Sequence, residues 1–478
     1  MIGNKQGYRL LSIPFVALNK QRISLMNKLL ISQHQRKLLL VALMTLFNGT
    51  AQANDPWSSD RKWLFGDWDG NRQQLEQKGY KFNFSVMNQS AVNFDGGYND
   101  DQELLNAYQL TLGANFDLEK ILNWQNTQAS LMITKRDGQS LASERIGDPR
   151  AAQLSSVQEI YGRGQSWRLS QAWLKKGFID NTLTFKIGRM GMSEDFNASQ
   201  CEFQNLVLCG GQIGKAVGSI WYNSPVSVWG ANVKYQFSPT WTMGIGVYEV
   251  NPENALEKHG FNLSMDDTEG ALIPIELTWK PKLTLFNNLA GEYKLGAFYS
   301  TADATDVKTN NEGEISLNPS DRTIHSSKHS FWFNAQQQLT QKGSNSSQGL
   351  YGTINLTFND KATNSIQDSQ QIAFWYKGLL DNRPNDSIGF GLARYAVNDR
   401  IKDLRIYSND INSFTTEDYS NLAYKPLQND EIDVELNYSY QWSPSIMLRP
   451  NIQYVYQPGG VKEVDDAWVA GLSVKLNF

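Results

Sequence analysis

Along almost its whole length this chain alternates apolar and polar residues with a period of two. A strand sends successive side chains to opposite faces, so this period commits the chain to sheet rather than helix. Tyr108, Leu110, Leu112, Ala114 and Phe116 share one face, with Gln109, Thr111, Gly113 and Asn115 on the other. Ala231, Val233, Tyr235 and Phe237 oppose Asn232, Lys234 and Gln236. Ile432, Val434, Leu436, Tyr438, Tyr440 and Trp442 oppose Asp433, Glu435, Asn437, Ser439 and Gln441. Comparable segments start near Phe82, Thr127, Trp167, Thr182, Trp241, Ile273, Tyr293, Phe331, Leu350, Ile372, Ile388 and Ile446, and the last runs from Trp468 to Phe478. Each spans about 8–12 residues, near the 9–11 that a tilted strand needs to cross a bilayer. A further stretch, Ile220-Trp221-Tyr222, is ambiguous and would make 17 segments; a closed bacterial outer-membrane barrel takes an even number, which selects 16.

A soluble sandwich or propeller also alternates, with its apolar face in a dry core. Two features favour a barrel around water. The polar face is rich in Gln, Asn, Thr and isolated charges along full-length strands. Aromatic residues sit at strand ends (Phe116, Phe237, Trp241, Trp279, Phe358, Trp442), where membrane girdles lie. The mean hydropathy of −0.47 and the lack of any long apolar run exclude a bundle of membrane helices. Phe478, preceded by Leu476, Val474, Leu472, Ala470 and Trp468, resembles the terminal signal read by the barrel assembly machinery. The expected fold is all-β, a 16-stranded antiparallel transmembrane barrel integral to a Gram-negative outer membrane, against its lipid and lipopolysaccharide.

Residues 1–53 read as a cleaved secretory signal. They hold no acidic residue, then an apolar run from Leu38 to Phe47, then Ala51-Gln52-Ala53. The start codon is Met1 or Met26. Cleavage after Ala53 removes seven basic and no acidic residues, moving the formal charge from −4 to −11. No basic surface for nucleic acid results. Residues 54–80 form a periplasmic segment with a short helix over Asn71–Lys78, capped by Asp69 or Asn71 and stopped by Gly79. Residues 81–478 form the barrel. Export places Cys201 and Cys209 in an oxidising compartment, where a disulfide is expected. No nearby His completes a metal site, and no metal or cofactor is expected.

Four stretches in order resemble the carbohydrate-selective porin family typified by the OprB glucose porin. They are Leu64-Phe65-Gly66-Asp67-Trp68-Asp69-Gly70 with Arg72, Leu75, Glu76 and Gly79; Ile187-Gly188-Arg189 through Glu194-Asp195-Phe196 to Cys209-Gly210; Trp221-Tyr222-Asn223-Ser224-Pro225 to Asn251-Pro252; and Pro450-Asn451 to Gly459-Gly460. The resemblance spans essentially the whole exported chain and implies a 16-stranded barrel passing small sugars such as glucose by diffusion. Two departures stand out: Asp69 occupies a position where the family usually has Gly, and Thr301–Ser347 has no recognisable counterpart.

A sugar offers hydroxyls and an apolar ring face, so a selective pore needs donors, acceptors and flat aromatics holding it weakly at several sites. Arg168, alternating with Ser170 and Ala172, and Lys186, sharing a face with Thr184, are candidates for the lumen. Arg189 and Asp195 are expected to pair across the narrowing, with Glu194 beside them in an infolded loop stiffened by Cys201–Cys209. Trp173 and Trp332 are candidate stacking surfaces, and Asn451 and Gln453 are expected to face inward. An excess of lumen Arg and Lys would favour a second reading, a porin for hydroxylated organic acids resembling quinate or shikimate. An enzyme is not expected. His259, His325 and His329 have no recognisable Ser or Asp partner pattern, and Gly211-Gln212-Ile213-Gly214-Lys215 lacks the spacing of a phosphate loop.

Overall fold

The computed structural model describes residues 57–162, 165–212 and 214–478; the expected signal at 1–53 lies outside them. Sixteen antiparallel strands form one closed sheet. The first eight are β1 (Tyr80–Gly97), β2 (Leu105–Asp117), β3 (Thr127–Gly138), β4 (Trp167–Phe178), β5 (Leu183–Met190), β6 (Val228–Gln236), β7 (Trp241–Val250) and β8 (Gly270–Trp279). The rest are β9 (Leu289–Ser300), β10 (Lys328–Gln338), β11 (Gly349–Asn359), β12 (Ile366–Lys377), β13 (Ser387–Val397), β14 (Asp430–Ser443), β15 (Ile446–Tyr456) and β16 (Asp465–Asn477). Each strand pairs with its chain neighbours, and β1 closes the sheet by pairing with both β2 and β16, Val86 facing Leu110 and Leu476. Lys282–Leu283 adds a short annex to β9.

The side chains face as a membrane barrel requires. Phe185, Ile187, Met243, Ile245, Val247, Phe390, Leu392, Leu436, Ile452 and Leu472 are exposed on the outside. Ser130, Thr134, Lys186, Asn232, Glu276, Asn355, Asp433, Glu435, Asn451 and Ser473 are buried on the inside. An Arg or Lys facing mid-bilayer lipid costs about 2–4 kcal/mol, which is why Lys186 occupies a lumen position. At the end with short turns, Phe237, Trp241, Trp279 and Tyr293 touch in series (6.4, 5.4 and 5.5 Å between centroids), forming one arc of an aromatic girdle.

Connections alternate in length. The turns 179–182, 237–240 and 444–445 lie on the side of the chain termini, the periplasmic side in this architecture. The loops 139–166, 191–227, 251–269, 301–327 and 398–429 lie on the other. The ambiguous stretch Ile220-Trp221-Tyr222 is not a strand. It belongs to loop 191–227, where Trp221 and Tyr222 are 0% and 1% exposed in an apolar cluster with Met190, Phe196, Tyr248 and Trp332. A loop that folds into the lumen has a surface to pack on, so it carries apolar residues that imitate a strand. The poorly matched 301–347 region divides into an outer loop, where Ala304–Thr305 pairs with Ile324–His325, then β10 and a turn.

Helix α1 (Asn71–Gln77) forms where expected, but neither Asp69 nor Asn71 caps it. Gly70, at φ 83°, takes the cap position without a side-chain bond. Trp68 and Asp69 are also left-handed, at φ 57° and 55°. Asp tolerates that region better than most residues, which accounts for its standing in a glycine's place. Gly79 ends the helix as expected, at φ 99°; a Cβ there would meet the Asp117 carbonyl at 2.7 Å.

Candidate permeation site

Two loops fold into the lumen, and many of their fastenings run to β14, β15, β16 and β1; loop 191–227 is also held by Glu276 on β8, which accepts from the Asn197 N–H, and by Gln371 on β12, which donates to the Leu208 carbonyl. Gln204 and Asn205 of loop 191–227 donate their backbone N–H groups to the Glu435 carboxylate, at 3.0 and 2.7 Å. The Asn205 amide donates to Asp433 (2.9 Å) and to Gln453 (3.1 Å). Asn451 and Ser473 donate to the Gln204 side-chain oxygen, at 3.0 and 2.8 Å. Arg449 holds Glu202 at 2.9 Å. Loop 139–166 is held alongside: Ser155 donates to Asp433, and the Gln158 amide donates to the Gln89 carbonyl. The loops also bond each other, Glu159 N–H to the Gln204 carbonyl (2.9 Å) and Leu206 N–H to the Ser156 carbonyl (2.8 Å). Backbone donors that leave a strand ladder need new acceptors, and lumen carboxylates and amides supply them.

The open passage runs beside these loops, along β1 to β4. On its outer side is a cavity of about 690 Å³, lined among others by Gln109, Arg136, Glu159, Tyr161, Glu194 and Gln212. On the periplasmic side is one of about 780 Å³, whose charged lining is Lys62, Arg72, Lys81, Lys120 and Lys475 against Glu76 and Asp117. Arg136 on β3 donates to Gln109 at 2.7 Å and faces the loop carboxylate Glu159. Burial pushes the Glu159 carboxyl up, against the opposing pull of Arg136, Arg449 and Lys475, although its side chain keeps some contact with the bore. Its oxygen lies within 4.8 Å of the sulfurs of Cys201 and Cys209, which form a disulfide as expected. Bonded sulfurs offer no thiolate, so this cluster is not a metal site.

A second charged cluster sits where loop 191–227 leaves β5. The Lys186 ammonium lies 2.8 Å from Asp195 and 3.1 Å from Glu194, and Lys234 lies 3.2 Å from Asp195. Burial works to raise Asp195, but Lys234 and Lys186 hold it below the usual carboxylate range. Burial dominates at Glu194 and pushes it up despite Lys186. Lys186 also stands 4.5 Å from the Trp173 ring, and Trp173 borders the periplasmic cavity.

The structure therefore gathers Lys186, Glu194, Asp195 and Trp173 and separates the other expected residues from them. Arg189 and Asp195 do not pair. Arg189 instead donates to the Ser227 carbonyl at 2.6 Å and lies 3.6 Å from Glu249, while Asp195 is taken by two lysines. Arg168, 1% exposed, clamps the Asn254, Ala255 and Leu256 carbonyls at 2.7, 2.8 and 2.9 Å. Trp332 is 1% exposed, donates to Glu276 and packs edge-on against Trp221, leaving no face for a solute. Asn451 and Gln453 face inward as expected, but loop 191–227 covers them. Arg136, Glu159 and Lys475 were not singled out from the sequence. Arg136 shares the inward parity of Ser130 and Thr134 on β3, the one signal that points to it; nothing in the local pattern places Glu159.

Comparisons with known proteins agree with this fold. Residues 101–478 match the description "Carbohydrate-selective porin, OprB family". QuiX of Acinetobacter baylyi, described as a porin, is 61% identical over 451 residues, covering 93% of this chain and 100% of that one. Porin B of Pseudomonas aeruginosa is 46% identical over 441 residues, 92% of this chain and 96% of that one. The high-pH structure of Pseudomonas putida OprB superposes with a TM-score of 0.86 at 46% identity, covering 88% of this chain and 100% of that one.

Proposed function

The chain belongs to the OprB family of carbohydrate-selective porins, and we propose that it selects its solutes between Arg136 and Glu159. It is an outer-membrane porin through which small sugars diffuse passively. The observation that carries the proposed site is that Arg136 and Glu159 both line the outer cavity of about 690 Å³, with Gln109 beside them. A sugar passing between them exchanges water for the Arg136 guanidinium, the Glu159 carboxylate and the Gln109 amide. These contacts are strong enough to favour hydroxylated solutes and few enough to release them. Lys186, Glu194 and Asp195 set the field beside the passage, and Trp173 offers an aromatic edge below it. Arg168, Arg189, Trp332, Asn451 and Gln453 shape the passage by holding loops and wall. The test is proteoliposome swelling with neutral sugars, together with sugar block of single-channel current. Arg136→Ala and Glu159→Gln are expected to change the block; no change in either removes them from the selective site.

A second reading, a porin for hydroxylated organic acids resembling quinate or shikimate, is favoured by the basic excess lining the periplasmic cavity. Faster swelling with such acids than with neutral sugars would establish it. The reading includes no catalytic role and no nucleic-acid partner, in keeping with a family of channels. It includes a signal at 1–53 that is removed on export and a C-terminal strand, ending in Phe478, through which the assembly machinery handles the chain. The exposed apolar outer face would meet outer-membrane lipid and lipopolysaccharide.

A further inference from the structure

A third cavity, of about 480 Å³, lies beside the pore mouth on the side of the long loops. Its lining comes from loop 191–227 (Gly218, Ser219), from Ser300 at the end of β9 and Thr305 beyond it, from Thr363, and from Lys328 at the start of β10. Ser219 also borders the outer cavity of the bore, so a solute here stands next to the passage but outside it.

Lys328 is the unusual member. Its side chain is 7% exposed, yet no hydrogen bond or ion pair reaches its ammonium among the described residues. Asp360, whose charge acts on it, is occupied by the Thr363 hydroxyl at 2.7 Å and the Ala362 N–H at 2.9 Å. Beside it the buried Asn364 side-chain oxygen also lacks a partner. A Cβ on Gly218, which sits at φ 73°, would stand 2.2 Å from the ammonium and 2.7 Å from that oxygen. The backbone at Gly218 thus leaves room only because it carries no side chain. An ammonium withdrawn from water and left unpaired is costly, and a carboxylate that reaches it offsets that cost.

We infer that this cavity binds a small polyhydroxylated monocarboxylate, a sugar acid, with its carboxylate on Lys328. The hydroxyl residues Ser300, Thr305 and Thr363 share the cavity lining with Lys328. At the open rim stand the exposed carboxylates of Glu269 and Asp303. These groups suit the hydroxyls of such a ligand, while the single deep cation suits its one negative charge. The volume suits one sugar-sized molecule. The inference extends the second reading above by placing an acid-binding site outside the bore, where it would concentrate solute at the mouth.

The test uses the full exported protein in detergent, with D-gluconate and D-glucose as probes in titration calorimetry, and single-channel conductance in potassium chloride as the control for an intact pore. Wild type is expected to bind gluconate at least about tenfold more tightly than glucose, and Lys328→Met to lose about tenfold in gluconate affinity with conductance unchanged. Lys328→Arg, which keeps the charge, should stay within about threefold of wild type. Equal gluconate affinity in wild type and Lys328→Met overturns the site. So does equal binding of the two probes by wild type. Should Lys328→Met fail to fold, Thr305→Asp at the exposed rim decides: a loss of about tenfold supports the site, and unchanged affinity overturns it. Gluconate permeation without Lys328-dependent binding would leave the acid-porin reading standing and remove only this inference.

Discussion

The two sides of the lumen carry the same kind of residue and use it differently. On the side formed by β14, β15, β16 and β1, Asp433, Glu435, Asn451, Gln453, Ser473 and Gln89 are covered by infolded loops that take up their hydrogen bonds. On the side formed by β3 to β6, Arg136 lines the outer cavity, and Lys186 and Lys234 meet the loop carboxylate of Asp195. A polar residue facing inward is therefore not by itself a pore residue. It becomes an anchor where a loop brings unpaired backbone groups to it, and a solute contact where none does.

Removing an anchor should have the largest effect. Glu435→Ala strands two buried N–H donors and is expected to cost about 2–3 kcal/mol, read as a fall in thermal midpoint. It should also free loop 191–227, read as noisier and larger single-channel currents. Quiet, unchanged currents would mean that this side does not hold the loop. Replacing both Cys201 and Cys209 by Ser should cost less in current, because the anchors remain. The bridge closes a short loop, a sequence separation of 8, so the loss of midpoint should reflect at most about 2–3 kcal/mol.

On the passage side the effects should be on ions rather than on stability. Glu159 is pushed up from 4.5, so its charge is lost while most exposed carboxylates keep theirs. As pH falls through that raised value the channel should shift toward anions, read as a reversal potential in a salt gradient. Glu159→Gln should remove the step, and a step that persists assigns it elsewhere.

The smallest effect is expected at the outer loops. Burial works to raise Asp306, but the Thr309 N–H, His325, the Lys308 N–H and Arg400 hold it below its ordinary 3.8. A depressed carboxyl stabilises above its unfolded value and loses that contribution as pH falls toward the folded one. Loop 301–327 should therefore become protease-sensitive only below about pH 4, and Asp306→Asn should already be sensitive above it. Equal sensitivity of both proteins throughout would show that Asp306 does not latch the loop.

Much of this molecule was legible beforehand. All 16 strands stand where the alternation placed them, because period two and the inward polar face are properties of each segment alone. The disulfide was legible because only two cysteines exist. The doubtful stretch, Ile220-Trp221-Tyr222, was ambiguous because its apolar residues face a surface that no local pattern records. The expected Arg189–Asp195 pair does not form for the same kind of reason. Asp195 turns toward Lys186 and Lys234 on neighbouring strands, and Arg189 turns toward Ser227 and Glu249.

Sequence alone determined that this chain closes into a barrel with water inside, since the alternation of a strand leaves only that way to face lipid and solvent together. Which inward residues hold loops and which meet solute was decided by the tertiary structure. The reason is physical: a loop entering the lumen must satisfy its own backbone first, and it takes partners from strands far away in the chain.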